Sequence, residues 1–211
     1  MEKKDRFICP VLLLAAGRSH RMRGDDKLLQ RVDGVAILRS RAKAALATGQ
    51  DVIVVLPSGA QEAARRDALD GLPLRIVTAQ RAEDGMSASL VTGLTAMPVL
   101  SDAVMILLGD LPELQAEDLR RVMAAARAEP HFIWRGASNQ GHPGHPVVFP
   151  ARFFDDLAAV TGDTGASGVI RAHSGDLRLC PLPGQRAVTD LDTPEDWAAW
   201  RAARGDGDPE K

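Results

Sequence analysis

The sequence contains no tyrosine, and only three tryptophans and five phenylalanines among its 211 residues. A core must therefore be built from Leu, Val, Ile and Ala. The two cysteines, Cys9 and Cys180, are far apart, and there is no CxxC spacing. A disulfide scaffold or a zinc site is thereby disfavoured, and each thiol, lying in an apolar run, is expected as a small core residue. Neither sign of charge dominates: 26 Lys and Arg stand against 28 Asp and Glu, for a net charge of −2. That balance argues against a general electrostatic grip on nucleic acid or on an anionic membrane. No stretch approaches the ~18–20 apolar residues of a membrane span. Met1–Arg6 is charged and the apolar run after it is short, so no secretory signal is expected and the cytoplasm is the default location.

The rest of the composition, 45% hydrophobic and 26% charged, is that of a globular protein long enough to bury a substantial core without a staple. Apolar runs alternate with helical patterns, which predicts a three-layer α/β/α fold on a mostly parallel sheet. The order begins with strand Phe7–Leu14, helix Ala36–Thr48 stopped by Gly49, strand Asp51–Leu56, helix Ala60–Leu69 and strand Leu74–Thr78. Helix Ser87–Ala96, strand Ala103–Leu108 and helix Ala116–Ala128 follow, the last with Leu119, Val122, Met123 and Ala126 on one face. The character changes near Pro130: strands His131–Arg135 and Val147–Phe149 flank a glycine-rich loop, Gly136–His145. Helical patterns over Ala151–Val160 and Gly165–His173 and an apolar stretch Leu177–Leu182 come next. The last helix, Thr193–Arg204, carries Thr193 as N-cap, Pro194 at its first position and Asp196 to complete a capping box. One domain over residues 1–204 is expected, with a nucleotide-binding part at about 7–130 and an acceptor-binding part at about 131–204. Residues 205–211 read as a frayed tail.

The first strand runs into Leu14-Ala15-Ala16-Gly17-Arg18-Ser19-His20-Arg21-Met22, with Lys27 five residues on. Small residues let backbone N–H groups approach phosphate oxygens, and arginine suits bidentate phosphate contact. Ligands of open α/β sheets sit beyond the carboxyl ends of the strands, where this loop lies. The chain has neither GxxxxGK[ST] nor GxGxxG, which excludes a P-loop kinase and a dinucleotide fingerprint. A tight strand-to-helix turn with solvated arginines is the plain alternative.

These residues carry a resemblance. LAAGRSHRM with Lys27 downstream is similar to the signature of the nucleotidyltransferases related to the molybdenum cofactor guanylyl- and cytidylyltransferases. GMSASL at Gly85–Leu90, LLGDLP at Leu107–Pro112 and LDTPEDW at Leu191–Trp197 follow in that family's order. GHPGHPVVF at Gly141–Phe149 and GDTGA at Gly162–Ala166 resemble the acceptor-side motifs of its cytidylyltransferase branch. The resemblance implies a Rossmann-like fold that binds a nucleoside triphosphate and Mg²⁺ and transfers a nucleoside monophosphate to a phosphorylated acceptor. It implies that Leu14, Ala15, Ala16, Gly17, Arg18, Arg21 and Lys27 hold the nucleotide and its phosphates. Gly85, Ser87 and Ser89 would lie near base and ribose, and His145 on the acceptor side. Asp110 and Asp192 would bind the metal, and Arg21, Lys27 and Asp110 would carry the chemistry. Arg23 stands where relatives often have Gly.

Asp110 at a strand end is also a common turn residue, and Asp192 sits beside a helix cap, so each has a structural alternative. A zinc pair at His142 and His145 lacks further ligands. Leu-Ala-Ala-Gly resembles the cytidylyl type and Leu-Ala-Gly-Gly the guanylyl type; the Ala16 methyl would narrow the pocket toward a pyrimidine. CTP and a molybdopterin-type acceptor are the expected substrates, with a molybdoenzyme or its chaperone as protein partner. The alternatives are a guanylyl or other nucleotidyltransferase for a different metabolite, and a non-catalytic nucleotide-binding accessory protein.

Overall fold

The computed structural model describes residues 7–80 and 85–205. The charged segment Met1–Arg6 and all of the expected tail except Gly205 lie outside the described residues. Among these residues no helix is long and apolar enough to cross a membrane.

One seven-stranded sheet comprises β1 (Val11–Leu14), β4 (Val52–Pro57), β5 (Arg75–Ala79), β6 (Ala103–Leu108), β7 (Ile133–Ala137), β8 (Pro143–Pro150) and β9 (Leu177–Pro181). Their spatial order is β5-β4-β1-β6-β8-β7-β9. Six strands share one direction, and β8 alone runs antiparallel to both its neighbours. The all-apolar runs of β1 and β4 are buried along their whole length, as strands covered on both faces must be. Strand alternation sends Val11 and Leu13 into one core and Leu12 and Leu14 into the other. The first core is closed by α1 (Ile37–Leu46), α4 (Ala116–Ala128) and α7 (Pro194–Arg204), with α2 (Ala60–Ala68) alongside. The second is closed by α3 (Met86–Thr95), α5 (Phe154–Ala158) and α6 (Ser167–Ala172). The three-layer, mostly parallel arrangement follows the expectation. Cys9 and Cys180 are free and buried, and Trp197 and Trp200 pack edge to face with centroids 5.9 Å apart.

Two segments differ from the sequence reading. The expected loop Gly136–His145 shrinks to a turn at Ser138–His142, because β7 extends to Ala137 and β8 begins at Pro143. The glycines there mark close backbone approach rather than a loop. A Cβ on Gly144 would run into the carbonyl of Ala187, to which the His145 amide donates at 2.8 Å. The second difference is a small hairpin, β2 (Arg31–Val32) and β3 (Val35–Ala36), turning at Asp33-Gly34 with both residues at positive φ. Two-residue strands are too short to show alternation.

The chain moves from β1 to β4 on one side and later to β6 on the other, so strand order reverses between β1 and β6. The crevice beyond their carboxyl ends is where such sheets bind ligands.

Candidate active site

β1 and β6 end together, with Leu14 opposite Leu108. The Gly109 amide donates to the Leu14 carbonyl at 3.2 Å, which sets Asp110 beside the start of the glycine- and arginine-rich loop. Short 3₁₀ turns at His20–Met22 and Lys27–Leu29 fold that loop back, with Met22 and Leu28 buried beneath it. Arg23 adopts φ +54°, so it keeps the left-handed path that glycine would take.

The loop is clasped from below by a residue the sequence did not flag. Arg65 on α2 is fully buried. Its Nε and Nη2 bond the Asp26 carboxylate at 2.7 and 2.9 Å, Nη1 donates to the Ala15 carbonyl at 2.7 Å, and Nη2 to that of Gly17 at 2.8 Å. Asp26 in turn accepts from the Leu28 amide at 3.0 Å, capping the turn that carries Lys27.

Lys27 is the hub. Its Nζ lies 2.6 Å from Asp110 Oδ2 and 2.7 Å from Asp192 Oδ1. Burial pulls the ammonium pKa down, but the Asp110 and Asp192 carboxylates outweigh it and hold it above the ordinary lysine value. Arg21 Nη1 reaches Asp192 Oδ2 at 2.8 Å from an exposed position. The expected capping box sets Asp192: Asp196 Oδ2 accepts from the amides of Thr193 at 2.9 Å and Asp192 at 3.2 Å. Further pairs strap α7 to the first loop and hairpin: Arg23 to Glu195 at 2.6 Å, Arg201 to Gln30 at 2.9 Å and Arg204 to Asp33 at 3.2 Å.

A cavity of about 530 Å³ opens above this constellation. Leu14, Ala15, Ala16, Gly17, Arg18, Lys27, Gly85, Ser89 and Asp110 line it, as do His20, Met86 and Asp163. Its volume is ordinary for a small-molecule site. Gly85 opens α3 at φ +98°, and a Cβ there would meet the Gly162 carbonyl at 2.7 Å and the Asp163 side chain. The GDTGA turn therefore sits directly on the N-terminus of α3, an end whose amides favour anions. Not every expected residue converges. Ser87 is buried on another side of α3, and its Oγ is not among the atoms lining the cavity and has no partner among the described residues. His145 lines a second, adjoining cavity instead of the first.

Two carboxylates converge, and Asp110 Oδ1 is buried without a hydrogen-bond partner. A hard-oxygen pair with a free lone pair fits a divalent cation that takes its remaining ligands from phosphate and water. Among the described residues no group of three or more His, Cys, Asp and Glu side chains forms a metal cage.

The sheet, its switch-point crevice and the loop define a Rossmann-like nucleotidyltransferase. The chain belongs to the family of MobA-like NTP transferase domains, which residues 11–177 match. It is 36% identical over 119 residues, 54% of its own length, to the bifunctional protein GlmU of Anaeromyxobacter sp. (strain Fw109-5). The chain spans about a quarter of the length of the curated relatives it matches. Rv0371c from Mycobacterium tuberculosis H37Rv is 26% identical, with a TM-score of 0.79 over 91% of this chain and 96% of that one. A second structure of Rv0371c, in complex with manganese, is 23% identical with a TM-score of 0.74, covering 91% and 97% of the two chains. At 12% identity, a CTP complex of CMP:2-keto-3-deoxy-manno-octonic acid synthetase shares the fold alone, with a TM-score of 0.72 over 94% and 98% of the chains. Asp192 and α7 lie beyond the family match.

Proposed function

We propose that this nucleotidyltransferase moves CMP from CTP to the phosphate of a molybdopterin-type acceptor, with Mg²⁺ at Asp110 and Asp192, and releases pyrophosphate. The carrying observation is that Lys27 and Asp110 line a cavity walled by the small-residue loop, with Asp192 bonded to Lys27 beside it. The manganese complex of Rv0371c supports a divalent cation, and the CTP complex within this fold supports the donor class. Ala16 lines the cavity, and a methyl at that position rather than a hydrogen favours a pyrimidine over a purine.

A bound divalent cation supplies Lewis-acid polarisation of the phosphoryl oxygens. Asp110, with its unpartnered Oδ1, and Asp192 would hold it. Lys27 stays cationic between them, within reach of the triphosphate, and stabilises charge that builds on the departing pyrophosphate. Arg21, exposed and paired with Asp192 outside the residues that line the cavity, would add a second cation for the same oxygens. The amides of Ala16 and Gly17 and the N-terminus of α3 would orient the nucleotide, the Ala15 amide being committed to the Val55 carbonyl at 2.9 Å. The acceptor is a phosphate monoester and already a nucleophile, so its oxygen attacks the α-phosphorus in line. No covalent intermediate or protein base is required, and positioning with electrostatics provides the rate.

The test is pyrophosphate release by purified protein with Mg²⁺, each NTP in turn and molybdopterin. Release is expected with CTP. Asp110→Ala should abolish divalent-dependent turnover and leave the melting transition in place; an unchanged rate would reject its metal role. Tight nucleotide binding with no turnover for any NTP would make the protein an accessory binder instead.

A further inference from the structure

The Lys27 ammonium is spent on the two carboxylates assigned to the divalent cation. It donates to Asp110 Oδ2 at 2.6 Å and to Asp192 Oδ1 at 2.7 Å. Arg21 takes the other Asp192 oxygen at 2.8 Å, so of the four carboxylate oxygens Asp110 Oδ1 alone has no partner among the described residues. The side chains of Lys27, Asp110 and Asp192 are 14%, 17% and 21% exposed, too little for bulk water to screen the cluster. Both ends are held in place: the Asp26 cap fixes the turn that carries Lys27, and the Asp196 box fixes Asp192. Mg²⁺ takes its oxygens at ~2.0–2.1 Å, not far inside these ammonium–oxygen distances. The gap between Asp110 Oδ2 and Asp192 Oδ1 therefore suits one cation or the other, and not both.

We propose that Lys27 is an internal stand-in for the divalent cation: it plugs the gap between Asp110 and Asp192 until a triphosphate draws it off, so that the carboxylates take up a cation only together with nucleotide. The position of Lys27 between the carboxylates is then its nucleotide-free one. The ammonium is a point charge on a flexible four-carbon stem, and Lys27 lines the cavity in which the triphosphate would lie. Phosphate oxygens there offer it new acceptors. Its departure strips two mostly buried carboxylates of their counter-charge, which is costly until a divalent cation replaces it. A divalent cation arriving alone must instead evict the ammonium with no triphosphate to receive it. Each ligand thus raises the affinity for the other, and by the same factor. This inference rests on the divalent-dependent reaction proposed above, and concerns the order in which its site fills.

The experiment titrates the full chain, free of nucleotide, with Mn²⁺ at constant ionic strength and follows free Mn²⁺ by its paramagnetic resonance signal. Lys27→Met should bind Mn²⁺ at least tenfold more tightly than the unmodified protein, and adding Asp110→Asn should cancel the gain. Arg21→Met removes the same unit of charge from Asp192 but leaves the gap plugged, so its gain should be clearly smaller. A lysine that served only to brace the carboxylates would give the opposite sign, since its loss would let them drift and Mn²⁺ affinity would fall. Where Lys27→Met melts early for want of its counter-charge, Mn²⁺ alone should restore the transition while leaving the Tm of the parent unmoved. Equal Mn²⁺ affinity of parent and Lys27→Met would overturn the proposal. So would an equal gain in Arg21→Met, a gain that survives Asp110→Asn, or an early melt that Mn²⁺ does not restore. Divalent-dependent pyrophosphate release by the parent, with no gain in Lys27→Met, would defeat this inference alone. A gain without pyrophosphate release from any NTP would defeat the transfer reaction and leave the exchange of cations standing.

Discussion

Replacing Arg65 with methionine should damage both the fold and nucleotide binding, although Arg65 lines neither cavity. Arg65 is fully buried and its Asp26 partner is 11% exposed, so Arg65→Met strands a nearly buried carboxylate. It also removes the donors to the Ala15 and Gly17 carbonyls. Breaking a buried ion pair from one side costs about 3–5 kcal/mol. The carbonyl losses share the same side chain and do not add in full, so about 4 kcal/mol is a fair centre. For a chain of this size each kcal/mol moves Tm by ~2–4 °C, which gives a fall of roughly 8–16 °C. The assay is a thermal melt with and without CTP, because a loop that has lost its clasp should also lose ligand-induced stabilisation. Arg66→Met is the control: its side chain is 47% exposed and among the described residues pairs with Glu62 alone, so its effect should stay within about 0.5 kcal/mol. Adding Asp26→Leu to Arg65→Met should recover part of the loss, since removing both charges is far less costly than removing one. A Tm within ~2 °C of the parent together with unchanged CTP affinity would refute the clasp.

Lys27→Ala should reduce kcat/KM by roughly 10²–10³, the ~3–4 kcal/mol expected of a key electrostatic donor; a variant within twofold of the parent would assign that duty to another cation. Ala16→Gly should shift the CTP/GTP ratio of kcat/KM toward GTP, and an unchanged ratio would reject the pocket-width argument. His145 gives a pH signature. Its pKa is about 4 in the folded protein against 6.5 ordinarily. Below pH 6.5 the unfolded chain therefore takes up a proton that the native chain refuses. Stability should be flat in this respect above pH 6.5 and fall toward pH 4, by at most ~1.4 kcal/mol per pH unit. Urea unfolding of His145→Phe should show a shallower acid slope than the parent; parallel slopes would mean that the histidine is not buried neutral.

The central strands and the helices between them were legible because their hydrophobic periodicities are strong and their punctuation, such as Gly49 and the Thr193–Asp196 box, is local. Motif order singled out Lys27, Asp110 and Asp192, but their mutual ion pairs across 83 and 165 residues were not legible in it. Arg65 was not legible. In AQEAARRDA the two arginines are adjacent and equivalent by composition; only the packing of α2 under the loop buries one and leaves the other in solvent. Ser87 misled for the complementary reason. A two-residue step along a helix turns a side chain to another face, so the serines of GMSASL divide between core and cavity. The β8 strand was obscured because glycine and proline ordinarily mark loops, whereas here Gly144 admits a neighbouring backbone.

The strap between α7 and the first loop has a consequence for synthesis. The first loop leaves the ribosome well before Asp192 and Glu195, which pair with Lys27, Arg21 and Arg23. Contacts of such sequence separation form late, after their loop-closure entropy has been met. A nascent chain can lay down β1, β4 and β6 and still have no competent grip on a triphosphate. If the proposed site holds, a chain ending before residue 192 should be folded in part but silent toward nucleotide.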